Sequence, residues 1–194
     1  DGQLPPALGQ YKHRLPWPFS RAQNGIYIAA YYGGPDYVLK ERVHEGVDLQ
    51  VEAGAAVQSI EDGQVAYGLD DERGSFGVDV LIQGQNTGIM YRYCHLAPDS
   101  LPWDYRKLWG NNNLQPMVKA GQVIGRVAPW FRELPEDFVV QAEVEVLYGK
   151  KRDHLHLETG YNPHPWLTQE HIYTRTVDFN PLLVLQRPED YFEK

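Results

Sequence analysis

Apolar and polar residues alternate with a period of two over much of this chain, the pattern of strands with one buried face. The signal is dense from Asp48 onward. "AAVQSI" and "QVAYG" flank Asp62-Gly63 and predict a hairpin turned at that dipeptide. "GVDVLIQ" and "IMYRYCHL", joined by the glycine-bounded "GQNTG", predict a second hairpin. "PMVKAGQVIGRVA" predicts two short strands around Ala120-Gly121. "FVVQAEVEVLYGKKRDHLHLETG" alternates on both sides of Gly149-Lys150 and predicts a third hairpin. Upstream, "GIYIAAYYGG" reads as a buried strand ending in glycines, and "VDFNPLLVL" near the C-terminus as a closing strand. Only "PDSLPWDYRKLWG" has a helical look, and it is short. Residues 1–18 hold four prolines and predict an extended strap over the surface. The expectation is a single all-β domain over residues 1–194, built on an antiparallel sheet.

Composition narrows this picture without changing it. A chain of 194 residues can bury a real core without disulfide staples, and its 18 glycines and 14 prolines suit a turn-rich β protein. Cys94 is the only cysteine, so no internal disulfide framework exists. The net charge is −8, and the basic residues are scattered apart from "KKR" at 150–152, which sets nucleic-acid binding aside. No apolar run is long enough to span a membrane as a helix. The chain opens on Asp1 and shows no signal peptide, as expected of a processed product.

Candidate chemistry lies in three histidine-bearing stretches. "RVHEGVDLQV" contains His44-Glu-x-x-Asp48, close to the helical zinc-protease signature His-Glu-x-x-His. Yet Gly46 and Val47 weaken a helix, and Val47, Leu49 and Val51 alternate with Asp48, Gln50 and Glu52. A straight strand would separate residues 44 and 48 by roughly 13 Å. Two ligands of one zinc ion must each lie within about 2.2 Å of it. The reading is therefore a loop carrying His44 that bends, with Gly46 permitting the turn, into a strand starting near Asp48. In "DHLHLE", His154, His156 and Glu158 share one strand face while Leu155 and Leu157 take the other. In "YRYCHL", alternation puts Tyr91, Tyr93 and His95 on one face and Arg92, Cys94 and Leu96 on the other. Cys94 and His95 therefore cannot pair, and Cys94 reads as a small buried residue. His13, His164 and His171 offer no such case. His44, Asp48 and one histidine of the 154/156 pair make a nitrogen and carboxylate set of the catalytic zinc type.

Together these stretches resemble the M23 family of zinc endopeptidases, the lysostaphin and LytM type. The matching segments are "HEGVDLQVEAGAAVQSIEDGQVAYG", "GVDVLIQ", "YRYCHL", "VKAGQVIGRV" and "HLHLE", in the family's order across residues 44–158. The resemblance implies a secreted, extracellular or periplasmic, monomeric hydrolase. It would use one zinc ion to cut the peptide cross-links of bacterial peptidoglycan. It implies His44, Asp48 and His156 as zinc ligands, and His95 and His154 as catalytic histidines beside the metal. Glu45 falls at a variable position and receives no role. Tyr93 either lines the cleft as a substrate contact or packs inside, and Glu158 is a candidate for orienting a histidine. Two segments, 97–117 and 126–153, exceed the family's usual lengths and would wall or restrict the cleft. Two other functions stay open: a non-catalytic zinc-bearing binding or activator module of the same fold, and a zinc peptidase acting on peptides outside the wall.

Overall fold

A computed structural model describes residues 4–34, 43–70, 77–107, 115–129, 153–161 and 177–192. In chain order the strands are β1 (Tyr27–Ala30), β2 (Val47–Gln50), β3 (Ala56–Gln58), β4 (Gly63–Asp70), β5 (Val78–Gly84), β6 (Ile89–Leu96), β7 (Met117–Val118), β8 (Val123–Arg126), β9 (His154–Tyr161) and β10 (Val177–Phe179). Eight form one sheet in the order β1-β2-β9-β6-β5-β4-β7, with β10 also paired to β9, while β3 and β8 make a separate ribbon. Every pairing is antiparallel, as the alternation requires.

The large sheet is two-faced. Val47, Leu49, Val80, Ile82, Tyr91, Tyr93, Leu155 and Leu157 point to one side and are fully buried. The β3–β8 ribbon contributes Val57 and Ile124 to the same core, and the chain ends contribute Leu8, Trp17, Phe19, Val184, Leu185 and Tyr191. Each such side chain contributes about 1.5–3 kcal/mol on burial. The opposite face carries Asp48, Asp79, Arg92, Cys94, His154, His156 and Glu158, through the cross-strand pairs Asp48↔His156, Cys94↔His156 and Arg92↔Glu158. The edge of β9 that lies away from β6 is shared. β2 pairs with residues 154–157 and β10 with 159–161, so Glu158 falls at the seam between them.

The β5–β6 hairpin forms as its alternation predicts. The Asp62-Gly63 hairpin does not: β3 pairs with β8, and β4 pairs with β5 and β7. Asp62 is engaged elsewhere. Its carboxylate accepts from the Ala120 N–H at 2.9 Å and the Lys119 ammonium at 2.7 Å, and its carbonyl accepts from the Gln85 N–H. Gly63 is there for space, since a Cβ would lie 2.6 Å from the Gln83 carbonyl oxygen. The N-terminal segment is not an extended surface strap. Pro6–Tyr11 is a 3-10 helix, Leu8, Trp17 and Phe19 enter the core, and the Trp17 indole donates to the Gln186 carbonyl at 2.8 Å. "GIYIAAYYGG" yields an edge strand whose Tyr27 is half exposed. The expected helix over "PDSLPWDYRKLWG" is two 3-10 turns, Pro98–Ser100 and Tyr105–Lys107, within the described residues. After β10, Asn180 accepts from the Leu182 N–H and starts a 3-10 turn where more strand was expected. The first arm and turn of the third hairpin lie outside the described residues, as do parts of the segments 97–117 and 126–153.

A buried carboxylate anchors the hairpin's loop. Glu61 accepts from the Tyr91 hydroxyl at 2.7 Å, from the backbone N–H groups of Asn86 and Thr87, and from the Thr87 hydroxyl. Glu61→Ala strands these donors in a dry site, so unfolding stability should fall by about 3–5 kcal/mol. Urea denaturation followed by tryptophan fluorescence measures it, and a loss below about 1 kcal/mol would show that the loop relaxes without its anchor.

Candidate metal centre

Three strands bring the predicted residues together. β2 delivers Asp48 and β9 delivers His154 and His156 on the polar sheet face. His44 arrives from the loop before β2, as expected. Its backbone is clamped on both sides, with Gly33 N–H donating to the His44 carbonyl at 2.8 Å and His44 N–H donating to the Gly34 carbonyl at 2.9 Å. The expected reason for Gly46 needs correcting. Its φ is not positive, so the turn does not demand glycine. Space demands it: a Cβ there would lie 2.8 Å from two atoms of the His156 ring and 2.5 Å from the Leu157 carbonyl oxygen.

His95 also departs from simple alternation. In β6 the register slips by one residue opposite Val78–Val80, and His95 takes a left-handed backbone with φ 66°. The slip takes His95 off the face of Tyr91 and Tyr93. Its ring centroid lies 4.8 Å from that of His154 and 6.0 Å from that of His156. Tyr93 stays behind. It is fully buried and its hydroxyl accepts from the Ile60 N–H at 3.1 Å, so it packs in the core and contacts no substrate. Cys94 is buried too, and burial, together with the nearby Asp79 carboxylate, pushes its thiol well above the ordinary range. It is no nucleophile.

His44 Nε2 lies 3.1 Å from Asp48 Oδ1 and 3.0 Å from His156 Nδ1, and His156 Nδ1 lies 2.6 Å from Asp48 Oδ1. Three donor atoms in so small a triangle can all reach one ion at about 2.0–2.2 Å. His154 Nε2 stands 4.0 Å from the same Asp48 oxygen. The outer nitrogens of the two candidate ligand histidines are also held: His44 Nδ1 by the Tyr31 carbonyl at 3.2 Å, and His156 Nε2 by Glu158 at 3.1 Å. Such partners fix which nitrogen faces a metal. Two imidazoles and one carboxylate, without thiolate, are the donor make-up of catalytic zinc.

Charge agrees with the donor set. Asp48, Glu158 and Asp79 are acidic and Arg92, paired with the last two, is basic. With neutral histidines this contiguous group carries two net negative charges, which one divalent cation balances. In the metal-free chain a proton compensates in part. Burial opposes charge on His156, but Asp48 and Glu158 outweigh it and lift its pKa from 6.5 to about 10. Burial likewise works against ionised Glu158, yet His156 and Arg92 pull it from 4.5 to about 2. Asp48 is held well below the usual carboxylate range: burial raises it, but His154, His156 and His44 prevail. A second possible donor group, Cys94, His156 and Glu158, shares His156 with the first. There the Arg92 guanidinium, bonded to Glu158, already supplies the positive charge. Sequence reasoning passed over Arg92 and Asp79. The signal lay in the alternation, which puts Arg92 on the face opposite Tyr91 and Tyr93.

No protein-family model and no curated protein matches the chain. Among solved structures it is similar to lysostaphin in solution, at 19% identity, 83% of this chain, 51% of that one and a TM-score of 0.48. It is similar to the catalytic domain of lysostaphin from Staphylococcus simulans, at 17% identity, 80% of this chain, 90% of that one and a TM-score of 0.49. A zinc-containing peptidase from Vibrio cholerae is 22% identical over 82% of this chain and 38% of its own, with a TM-score of 0.46. The chain thus spans about half the length of whole lysostaphin. The donor geometry, not these likenesses, carries the reading below.

The shifts set a pH window. His156 is raised on folding, so in chelated protein its contribution to stability is complete below pH 6.5 and is lost as pH climbs through about 10. Glu158 is depressed, so its contribution is complete above pH 4.5 and is lost as pH falls through about 2. The urea midpoint of metal-free protein should peak between those limits, pH 4.5 and 6.5. Zinc needs a neutral imidazole, so the increment it adds to the midpoint should grow as pH rises from about 6.5 to about 8.5. An increment that stays flat over that range would show that no protonated imidazole has to be neutralised for zinc to bind.

Proposed function

We propose that this chain is a zinc endopeptidase that hydrolyses the peptide cross-links of bacterial peptidoglycan, working outside the cytoplasm as a monomeric catalytic domain spanning residues 1–194. One observation supports this above all. The compact His44–Asp48–His156 donor triangle is flanked on its own sheet face by a second pair of histidines, His95 and His154, with ring centroids 4.8 Å apart. A purely structural zinc site needs no such pair, whereas peptide hydrolysis needs groups that move protons.

When bound, zinc supplies Lewis acidity, polarising a carbonyl and making water nucleophilic near neutral pH. The chain's residues do the rest. His44, Asp48 and His156 would hold the ion, with the Tyr31 carbonyl and the Glu158 carboxylate fixing the two imidazoles. His95 and His154 stand on adjacent strands against this donor set. One accepts the proton of the attacking water and passes it to the leaving amine. The other donates a hydrogen bond to the carbonyl oxygen as negative charge builds there. Burial shields His154 from bulk water in either role.

The test uses purified peptidoglycan, with products read by mass spectrometry. Wild-type protein should release cross-link fragments, and chelator should stop it. His95→Ala should lower turnover by about 10²–10⁴-fold while the protein still holds one zinc. His44→Ala should lose both metal and activity. Full activity in His95→Ala removes that histidine from the mechanism. One bound zinc with no cleavage favours the binding or activator module instead.

A further inference from the structure

Beyond the ligands lies a charged chain that crosses three strands. Asp79 on β5 is buried and holds Arg92 Nη2 at 2.6 Å. Arg92 on β6 reaches the other way, with Nη1 3.2 Å and 3.1 Å from the two carboxylate oxygens of Glu158 on β9. Glu158 Oε1 in turn accepts from His156 Nε2 at 3.1 Å, leaving Nδ1 to face Asp48 at 2.6 Å. We propose that Arg92 is the positioning residue of the site: anchored by Asp79, it fixes the Glu158 carboxylate and so commits the His156 ring to offer Nδ1 inward. The proposal rests on the zinc reading above for its purpose, though not for its geometry.

Glu158 sits at the seam between β2 and β10, so backbone pairing on that edge does not confine its side chain. A glutamate there could swing outward and release His156, whose ring offers a nitrogen on either edge. The guanidinium prevents this because it is planar, permanently charged and able to bond two carboxylates at once. A lysine at the same place is a point charge and cannot hold both acids in one geometry. Gly46 completes the mount, packing against the Cε1/Nε2 edge of the ring where a Cβ would collide. The ring is thus held by Asp48 at one nitrogen, Glu158 at the other and bare backbone alongside.

Two readouts on the full chain test this, one with metal and one without. In competition titrations with a zinc-binding dye, Arg92→Met should weaken zinc by about 10–100-fold, the usual cost of losing an outer partner of a metal ligand. In chelated, 15N-histidine-labelled protein, the His156 Nε2–H should give a slowly exchanging ring-proton resonance, assigned by its loss in His156→Gln. That proton should exchange at least tenfold faster in Arg92→Met and in Glu158→Gln. Arg92→Lys keeps the charge and guards against a folding failure of the Met variant, and it should show both losses. Wild-type zinc affinity and wild-type exchange in folded Arg92→Lys or Arg92→Met overturn the proposal. If wild-type protein binds no zinc at all, the functional reading fails, and the proton-exchange comparison still decides the positioning role.

Discussion

The polar face of this sheet is organised around one buried carboxylate with an imidazole on either side. Asp48 is removed from water, and a bare carboxylate there would cost several kcal/mol. Nitrogens at 3.1 and 2.6 Å make it tolerable, but only if a positive charge is shared among them. A proton supplies part of that charge in the metal-free state, and a divalent cation supplies more. The charges of Glu158, Asp79 and Arg92 extend the same requirement outward, so the net negative charge of the polar face would be balanced by a divalent cation beside Asp48. Metal binding and proton release are two descriptions of one electrostatic demand.

Strand pairing turns that demand into geometry. Asp48, His156 and Cys94 lie in one cross-strand row over β2, β9 and β6, and Arg92 and Glu158 in the next. Adjacent strands lie about 4.7–4.9 Å apart, so side chains in one row meet without long reach. The same register sends Leu49, Leu155 and Tyr93 to the other face, where the core forms. A one-residue slip between β2 and β9 would turn the histidines into the apolar core and the leucines onto the polar face. The core therefore enforces the site, since the energy that buries the apolar face also sets the polar register.

This division of labour explains what was legible in the sequence. Period-two alternation in "DHLHLE" and "VDLQV" is a local property, and it reveals the strands and their faces; His156 rather than His154 as a ligand follows only from the family resemblance. Long-range pairing is not local. Asp62-Gly63 has the chemistry of a hairpin turn, but Asp62 is bound by Lys119 and Ala120, and β3 finds its partner in β8. The N-terminal prolines suggested an outlying strap, whereas Leu8, Trp17 and Phe19 are core residues whose partners lie at the other end of the chain. Alternation puts Tyr93 and His95 on one face, and the bulge between Tyr93 and Leu96 separates them. The roles of Gly46 and Arg92 depend on what stands across from them, which no single stretch reveals.

Where local rules break is itself informative. His95 holds a left-handed backbone that costs a residue with a Cβ about 1–3 kcal/mol. Gly77, at φ 78°, packs against the backbone of His95 and Leu96, where any Cβ would lie 2.4 Å from the Leu96 carbonyl oxygen. Gly46 clears the His156 ring. The other non-glycine residue with positive φ among those described, His13, sits in an exposed turn, where such a conformation disturbs little. The strained backbone of His95 is different, because it lies at the end of a central strand, in the bulge that also turns Leu96 to the core side. Without the slip, alternation would leave Leu96 on the polar face with Arg92 and Cys94; with it, Leu96 is fully buried in the same core as Tyr93. The same slip carries an imidazole from the core side to the polar face, its ring centroid 4.8 Å from that of His154. Such conformations persist where the surrounding structure over-determines them. One bulge thus serves both faces of the sheet, filling the core with Leu96 and setting His95 beside His154.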